Sequence, residues 1–419
     1  MQITIIAGGS RGDVQPYVAL GKGLKESGHT VRVLAPQDYQ DLITAYGLAF
    51  FDMGSGVKTM AQSQMQEIAE QRNTLKILAA TGKGAQQLAL LSAKNGLVAC
   101  QGSDLIVAGF AGLSNGLALA EKLSIPFLQA HLMPFTPTRE FPSVLTPQLP
   151  QTRVTRWTNG LSHRFAQQMM WQMLRSADNE ARKKVLKMAP APFWGPFASL
   201  QQGSKPVIYG YSPQVIAPPA DWPDYIHVTG YWFLEPPAGW EPPVDLVNFL
   251  QAGPPPVYVG FGSMLSRKPE ETADLVWEAL ARTDQRAVLS SGWGGLTKEN
   301  LPETVFTVGS IPHSWLFPKM AAVVHHGGAG TTGAGLRAGI PSIITPFFGD
   351  QPFWGHQVYK LGVGPKPIPR QRLTVESLAE AIRISVSDTA MRKTAAHLGE
   401  LIRAENGIAR AVAVIEQYQ

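Results

Sequence analysis

The sequence predicts an α/β protein made of two Rossmann-like halves, each a doubly wound parallel sheet. Three observations predict it. Short β-branched apolar runs alternate with amphipathic stretches along the chain. A glycine-rich turn follows the first strand of each half, Gly8-Gly9 in one and Gly260-Phe261-Gly262-Ser263 in the other. A proline- and tryptophan-rich stretch lies between them. The length of 419 residues fits two domains of roughly 200 residues each.

The elements follow in order. Ile3 to Ala7 reads as a buried strand, and the next helix carries Val14, Val18, Leu20 and Leu24 on its apolar side. Thr30 to Leu34 is a second strand, which completes a βαβ unit. Asp104 to Ala108, a helix from Asn115 to Leu123, and Pro126 to Leu128 repeat the pattern. From Pro213 to Pro256 proline removes backbone donors, so little regular structure is expected there. Residues 1–237 are therefore read as the first domain and 238–255 as a linker. The second domain, 256–395, has strands at Pro256–Val259, Arg286–Leu289, Val305–Val308, Ala322–Val324 and Ser342–Ile344. A closing helix in 396–419 is expected to pack back on the first domain. Two such halves facing each other enclose a cleft, the usual place for a ligand.

Composition narrows the function classes. With 44% hydrophobic and 16% charged residues the chain is a globular protein with large cores. Its single cysteine, Cys100, excludes a disulfide framework and a cysteine-rich metal site. The net charge of +5 permits attraction to phosphate or anionic lipid but does not call for nucleic acid. The opening MQITIIAGGSRGD lacks a basic n-region and reads as a strand rather than a signal peptide. No run approaches the roughly 18 apolar residues of a membrane span. The expectation is a cytoplasmic protein, with peripheral membrane contact left open.

The chemistry concentrates at His325-His326-Gly327-Gly328-Ala329-Gly330-Thr331-Thr332. A strand ends there and a helix begins. Free N–H groups and the dipole at a helix N-terminus attract anions, and glycines let the backbone approach phosphate oxygens. The glycines alone would fit any tight turn; two histidines, three glycines and two threonines together favour a phosphate site. About twenty residues later, Asp350-Gln351 follows another strand, among the aromatics Phe347, Phe348, Phe353 and Trp354. Carboxylate and amide side by side suit vicinal sugar hydroxyls.

With those segments, Gly-Ser-Arg-Gly-Asp-Val-Gln-Pro at 9–16 and Leu-Arg-Ala-Gly-Ile-Pro at 336–341, the chain resembles the UDP-glycosyltransferase superfamily over essentially its whole length. Within it, the sterol 3-β-glucosyltransferase-like enzymes are most similar and the antibiotic glycosyltransferases are relatives. The resemblance implies the GT-B fold and inverting, metal-independent transfer of a hexose from a UDP-sugar, with no cofactor. It implies that His326 and the backbone of Gly328, Ala329, Gly330 and Thr331 hold the diphosphate. Thr331, Thr332 and Ser263 would add hydroxyl contacts, and Asp350 and Gln351 would bind the donor sugar. Ser310 and Ile311 would meet the nucleobase. Trp293 either stacks there or packs in the core. Ala334-Gly335 stand where plant relatives carry a glutamate for the ribose, so the ribose contact is unassigned. The sequence has no Asp-X-Asp and no ligand-spaced cluster for a metal.

Transfer needs an acceptor hydroxyl deprotonated as it attacks. By resemblance to the sterol and antibiotic branches, Asp13 is the general base. The same Asp13 reads as a helix N-cap, and both roles are compatible. An acceptor wall is expected in the first domain, from His131, Met133 and Phe135. His131 serves equally as a satisfied polar residue. The stripe Trp157, Leu161, Phe165, Met169 and Met173 is a second wall or plain core. Residues 151–190 also hold eight Lys and Arg against Asp178 and Glu180, which fits either an anionic membrane surface or a solvated helix face.

The expected partners are therefore UDP-glucose or a related nucleotide sugar and a lipophilic hydroxylated acceptor such as a sterol, polyketide, flavonoid or glycolipid precursor. A dinucleotide oxidoreductase is disfavoured because the second strand, ending Val33-Leu34-Ala35-Pro36, lacks the acidic residue that grips a ribose. A sugar-nucleotide epimerase and a non-catalytic nucleotide-sugar binder share the donor site and stay as rivals.

Overall fold

A computed structural model of the chain describes residues 1–54, 74–146, 153–197, 205–262, 269–290 and 302–418. They divide into two compact units. Unit 1 comprises Met1–Gly210, Pro218–Trp232 and Gly407–Gln419, and unit 2 comprises Tyr211–Ala217 and Phe233–Asn406.

Unit 1 runs β1 (Gln2–Ile6), α1 (Arg11–Glu26), β2 (Thr30–Ala35), α2 (Gln40–Thr44), β3 (Ala49–Asp52), α3 (Thr74–Cys100), β4 (Leu105–Ala108), α4 (Leu113–Leu123), β5 (Phe127–His131), α5 (Arg153–Ala181), β6 (Val207–Tyr209) and β7 (Ile226–Val228). Its sheet has the order β3-β2-β1-β4-β5-β6-β7, parallel throughout. Helices on a parallel sheet bury both faces, which is why Ile3, Ile5, Ile6 and Leu105 to Ala108 are apolar without alternation. The strand order reverses between β1 and β4.

Unit 2 runs α6 (Val244–Gln251), β8 (Val257–Gly260), α7 (Pro269–Ala281), β9 (Ala287–Ser290), β10 (Val305–Val308), α8 (His313–Leu316), β11 (Ala322–His325), α9 (Ala329–Ala338), β12 (Ser342–Ile344), α10 (Gln351–Lys360), α11 (Val375–Ser387) and α12 (Thr389–Arg403). The parallel order is β10-β9-β8-β11-β12, reversing between β8 and β11. Two apolar clusters flank this sheet, one around Val257, Val276, Leu289 and Ile382, the other around Leu246, Tyr258, Leu316 and Phe317.

Three expectations need correction. The proline-rich stretch is not bare linker: α6 occupies 244–251 of the 238–255 segment, with its Leu246 fully buried in unit 2. Proline disturbs the helical turn before it, through its missing N–H and its ring, and tolerates a helix that starts after it; Pro243 sits at the N-cap of α6, where it does no harm. The unit boundary is not one break near 237, because 211–217 belongs to unit 2 and 218–232 to unit 1. The closing segment 396–419 is two pieces. α12 stays in unit 2, and only α13 (Gly407–Gln417) belongs to unit 1, where it packs on α1. Gly407 opens α13 close against unit 1: a Cβ there would lie 2.5 Å from the Tyr231 carbonyl oxygen.

Candidate functional site

The carboxyl edge of the unit 2 sheet gathers most of the expected donor residues. The strands are parallel, so the loops after β8, β10, β11 and β12 leave from the same edge. Gly262 follows β8, Ser310 and Ile311 follow β10, His326 follows β11, and Asp350 and Gln351 follow β12. β8 and β11 are the neighbours at which strand order reverses, the place where open α/β sheets bind ligands. Ser263 and Trp293 lie outside the described residues.

The β11–α9 turn is built around two histidines with different tasks. His325 is fully buried, and its Nδ1 accepts from the Gly327 N–H at 3.1 Å, which pins the turn. Burial, with His326 and His313 nearby, holds His325 well below the usual imidazole range, so it stays neutral. His326 points the other way, over two glycines. A Cβ on Gly328 would meet its Nε2 at 2.5 Å, and one on Gly262 would meet its Cε1 at 3.0 Å. These glycines make room for the ring. Gly327 turns the chain at φ +90°, and a Cβ on it would lie 2.6 Å from Ile344 Cγ2. Burial lowers the His326 pKa to about 4, and its Nδ1 has no partner among the described residues.

Gly328 is the N-cap of α9, and no side chain caps the helix. The N–H groups of Ala329, Gly330 and Thr331 are therefore offered outward, with the dipole behind them. Thr332 stands one residue further into α9: its N–H bonds the Gly328 carbonyl at 2.9 Å, and its side chain is fully buried, with no partner for Oγ1 among the described residues. Thr331 is half-buried at the turn.

In the pair expected at the sugar, Asp350 is the N-cap residue of α10 without a side-chain cap bond, and its Oδ2 accepts from Trp354 Nε1–H at 2.8 Å. Gln351 is buried, and its Oε1 accepts from Phe347 N–H at 2.8 Å and Phe348 N–H at 3.3 Å. The Gln351 carbonyl thus shapes the loop, while Asp350 is half-buried. Ser310 is exposed and Ile311 half-buried.

In unit 1 the matching position is the turn from β1 into α1, again where strand order reverses. Ser10 is the N-cap of α1, so Asp13 is not the cap but the third helical residue. Its Oδ2 accepts from Ser10 N–H at 2.7 Å and Ser10 Oγ–H at 2.8 Å. This is the carboxylate arm of a capping box. Gly9 makes it possible: at φ +104° it turns the chain, and a Cβ there would lie 2.5 Å from Asp13 Oδ2. Burial raises the Asp13 pKa, and the two Ser10 bonds oppose the rise. A carboxylate held up in this way is a better base at neutral pH than an exposed one. Tyr17, one turn on, donates to the Ala130 carbonyl at 2.6 Å and fastens α1 to the end of β5.

His131, at the end of β5, and Phe135 share a buried aromatic cluster with Tyr209, at ring separations of 5.0 and 5.6 Å from the imidazole. Met133 is buried too. Burial lowers the His131 pKa to about 3, so it is neutral. Trp157 does not join them. It is 81% exposed on α5, and the whole stripe Trp157, Leu161, Phe165, Met169, Met173 faces water, so it is not core. The inward face is carried by Asn159, His163, Ala166, Gln167, Trp171, Ala177 and Ala181.

Sequence reasoning passed over His325, Gly262 and Tyr17 as positioning residues. His325 and Gly262 lay inside quoted motifs. Tyr17 gave no signal, because its partner is a backbone carbonyl 113 residues away. Among the described residues no group of three His, Cys, Asp or Glu side chains could hold a metal ion, and no helix is long and apolar enough to cross a membrane.

Residues 3–142 match the glycosyltransferase family 28 N-terminal domain, and residues 270–413 match the erythromycin biosynthesis protein CIII-like C-terminal domain. Two sterol 3-beta-glucosyltransferases of Arabidopsis thaliana are 37% identical over 98% of this chain, which covers 64% of one and 67% of the other. A sterol 3-beta-glucosyltransferase of Cryptococcus neoformans is 37% identical over 99% of this chain, which spans 27% of that protein. Among solved structures, the spinosyn forosaminyltransferase SpnP superposes with a TM-score of 0.69 at 15% identity, covering 100% of this chain and 98% of that one. The glycosyltransferase SnogD from Streptomyces nogalater superposes at 0.67 and 20% identity, with 100% of both chains covered. At such identities these likenesses speak for the fold, GT-B, with its two parallel-sheet α/β domains.

Proposed function

Since the chain belongs to the UDP-glycosyltransferase superfamily, with sterol 3-beta-glucosyltransferases among its relatives, we propose that it transfers glucose from UDP-glucose to a hydroxyl of a sterol or similarly lipophilic alcohol. The observation that carries this reading is the uncapped N-terminus of α9, beside the His326 imidazole, at the reversal of strand order in unit 2.

On this reading each turn supplies one part of the chemistry. Asp13 accepts the proton of the acceptor hydroxyl as its oxygen attacks the anomeric carbon. The bond from that carbon to the β-phosphate oxygen breaks, and the configuration inverts. UDP leaves with the electron pair. The N–H groups of Ala329, Gly330 and Thr331 and a donor from His326 receive the charge that develops on the diphosphate. This is the stabilisation a divalent cation supplies in other transferases, so we propose transfer without a bound metal. Asp350 contacts the sugar, and Gln351 holds the loop that presents it.

Incubating the protein with UDP-glucose and a sterol, with EDTA present, tests the reading directly. UDP release matched by a new β-glucoside is expected. UDP-glucose left intact in the presence of sterol, flavonoid and macrolide alcohols alike would overturn it; conversion to another UDP-hexose would mark an epimerase. A comparison of those acceptors fixes the substrate class.

A further inference from the structure

Asp350 holds the N-cap position of α10 without capping it. An aspartate there ordinarily turns its carboxylate onto the N–H groups of the first helical turn. Asp388 does so at the start of α12, where its Oδ1 accepts from the Ala390 and Met391 N–H groups at 2.9 and 3.0 Å. Asp350 makes no such bond. Its Oδ2 accepts instead from the Trp354 indole, one turn along the helix, at 2.8 Å.

The indole is held in place on every side. Trp354 is fully buried. Its ring nitrogen can only donate, and a buried indole N–H needs an acceptor. Phe353 and Tyr211 meet the ring nearly edge-on, at 5.4 and 6.4 Å. Gly355 lets the helix press on β12: a Cβ there would lie 2.9 Å from Pro367 Cβ and 3.1 Å from Ile344 Cγ2. Gln351 fixes the other end of the same loop by accepting from the Phe347 and Phe348 N–H groups. The loop from Phe347 to Asp350 is thus braced twice from α10, by an amide at its start and by an indole at its end. Phenylalanine at 354 would fill the core without a donor. What the indole adds is a fixed direction for one carboxylate.

We infer that Trp354 is a positioning residue for the donor sugar, resting on the proposed contact of Asp350 with that sugar. Its N–H holds the Asp350 carboxylate off the helix start in one orientation, and through it sets which hexose the site accepts. A carboxylate fixed in one place suits hydroxyls of one configuration; one free to swing would accept either epimer.

Calorimetry on the full chain with UDP, UDP-glucose and UDP-galactose tests this. Trp354→Phe keeps a ring and loses the donor. It should bind UDP like the wild type, which shows that the site is folded. Its Kd for UDP-glucose relative to UDP should rise about tenfold, the loss expected for a hydrogen bond to a charged group. Its preference between glucose and galactose should narrow. Asp350→Ala should raise the same ratio, and adding Trp354→Phe to it should raise it no further. If Asp350→Ala raises the ratio and Trp354→Phe leaves both ratio and preference unmoved, Trp354 is not the positioning residue, while the sugar contact stands. If Asp350→Ala leaves the ratio unmoved as well, the sugar contact falls and the role of Trp354 with it. A second measurement needs no folded Trp354 variant. In the isotope-labelled wild type, the indole N–H resonance that moves in Asp350→Ala should shift with UDP-glucose and stay in place with UDP. A resonance that UDP-glucose leaves unmoved overturns the role of Trp354 equally.

Discussion

At the start of α1 the chain supplies its own anion; at the start of α9 it supplies none. Both helices follow a parallel strand where strand order reverses, and both are entered through a glycine at positive φ. In the first turn Asp13 folds back on Ser10 and fills the space over Gly9. In the second, that role is empty: Gly328 is the N-cap, and the free space over it is taken by the edge of His326. The difference teaches how one supersecondary unit can be finished in two ways. A turn that folds a carboxylate back on its own helix start satisfies the N-terminal N–H groups internally, and the proposed base comes from it. A turn with bare N–H groups keeps them for an anion, and the proposed diphosphate site lies there.

The largest expected effect tests the first turn. Asp13→Asn preserves the shape and an acceptor for the Ser10 N–H, but it cannot take a proton. Loss of a general base costs about 10²–10⁴-fold in turnover. We therefore predict a fall of that order in kcat, with UDP affinity within twofold of wild type by calorimetry. Turnover within tenfold of wild type would break the comparison at once.

The second turn should show the opposite split. His326→Ala removes a donor to an anionic ligand, worth about 1.5–3 kcal/mol. UDP should bind about ten- to a hundredfold more weakly, while thermal stability barely changes. Gly328→Ala should mimic it more mildly, because alanine suits the backbone there (φ −63°) but must push His326 Nε2 away from 2.5 Å. About tenfold weaker UDP binding is the expected reading. Unchanged affinity in both variants would mean that the α9 N-terminus does not meet the diphosphate.

Much of this was legible in the sequence. The strands are β-branched runs buried on both faces, which one-dimensional reading detects well. The glycines of both turns and the His-His pair stand in recognisable order. What was lost has a common cause. Periodicity shows that Trp157, Leu161 and Phe165 share a helix stripe, but not which side of the helix has hydrogen-bonding partners. That was settled by backbone carbonyls at Phe135, Arg139 and Phe141. Likewise Thr331 and Thr332 look equivalent, and only the phase of α9 sends Thr332 into the core. The different surroundings of Asp350 and Gln351, one accepting from the Trp354 indole and the other bracing the loop through the Phe347 N–H, rest on contacts that no pattern announces.

The smallest effect separates the turns by the sign of a pH slope. Burial raises the Asp13 pKa above its ordinary value near ~3.9, so the folded chain holds that proton more tightly than the unfolded one. The stability this confers is full below pH ~4 and is lost as pH climbs through the raised value. His326 does the reverse. Its pKa falls to about 4, against an unfolded value near ~6.5, so protonation favours the unfolded chain. Its contribution is present above pH ~6.5 and lost as pH falls through 4. Between these limits the two turns tilt stability in opposite directions. Asp13→Asn should remove a falling slope, and His326→Phe a rising one. Urea unfolding of the wild type and both variants from pH 4 to 7 measures the two differences. If the differences bend the same way, one of the two groups is not buried as its turn requires, and the contrast between a filled and an open helix start must be redrawn.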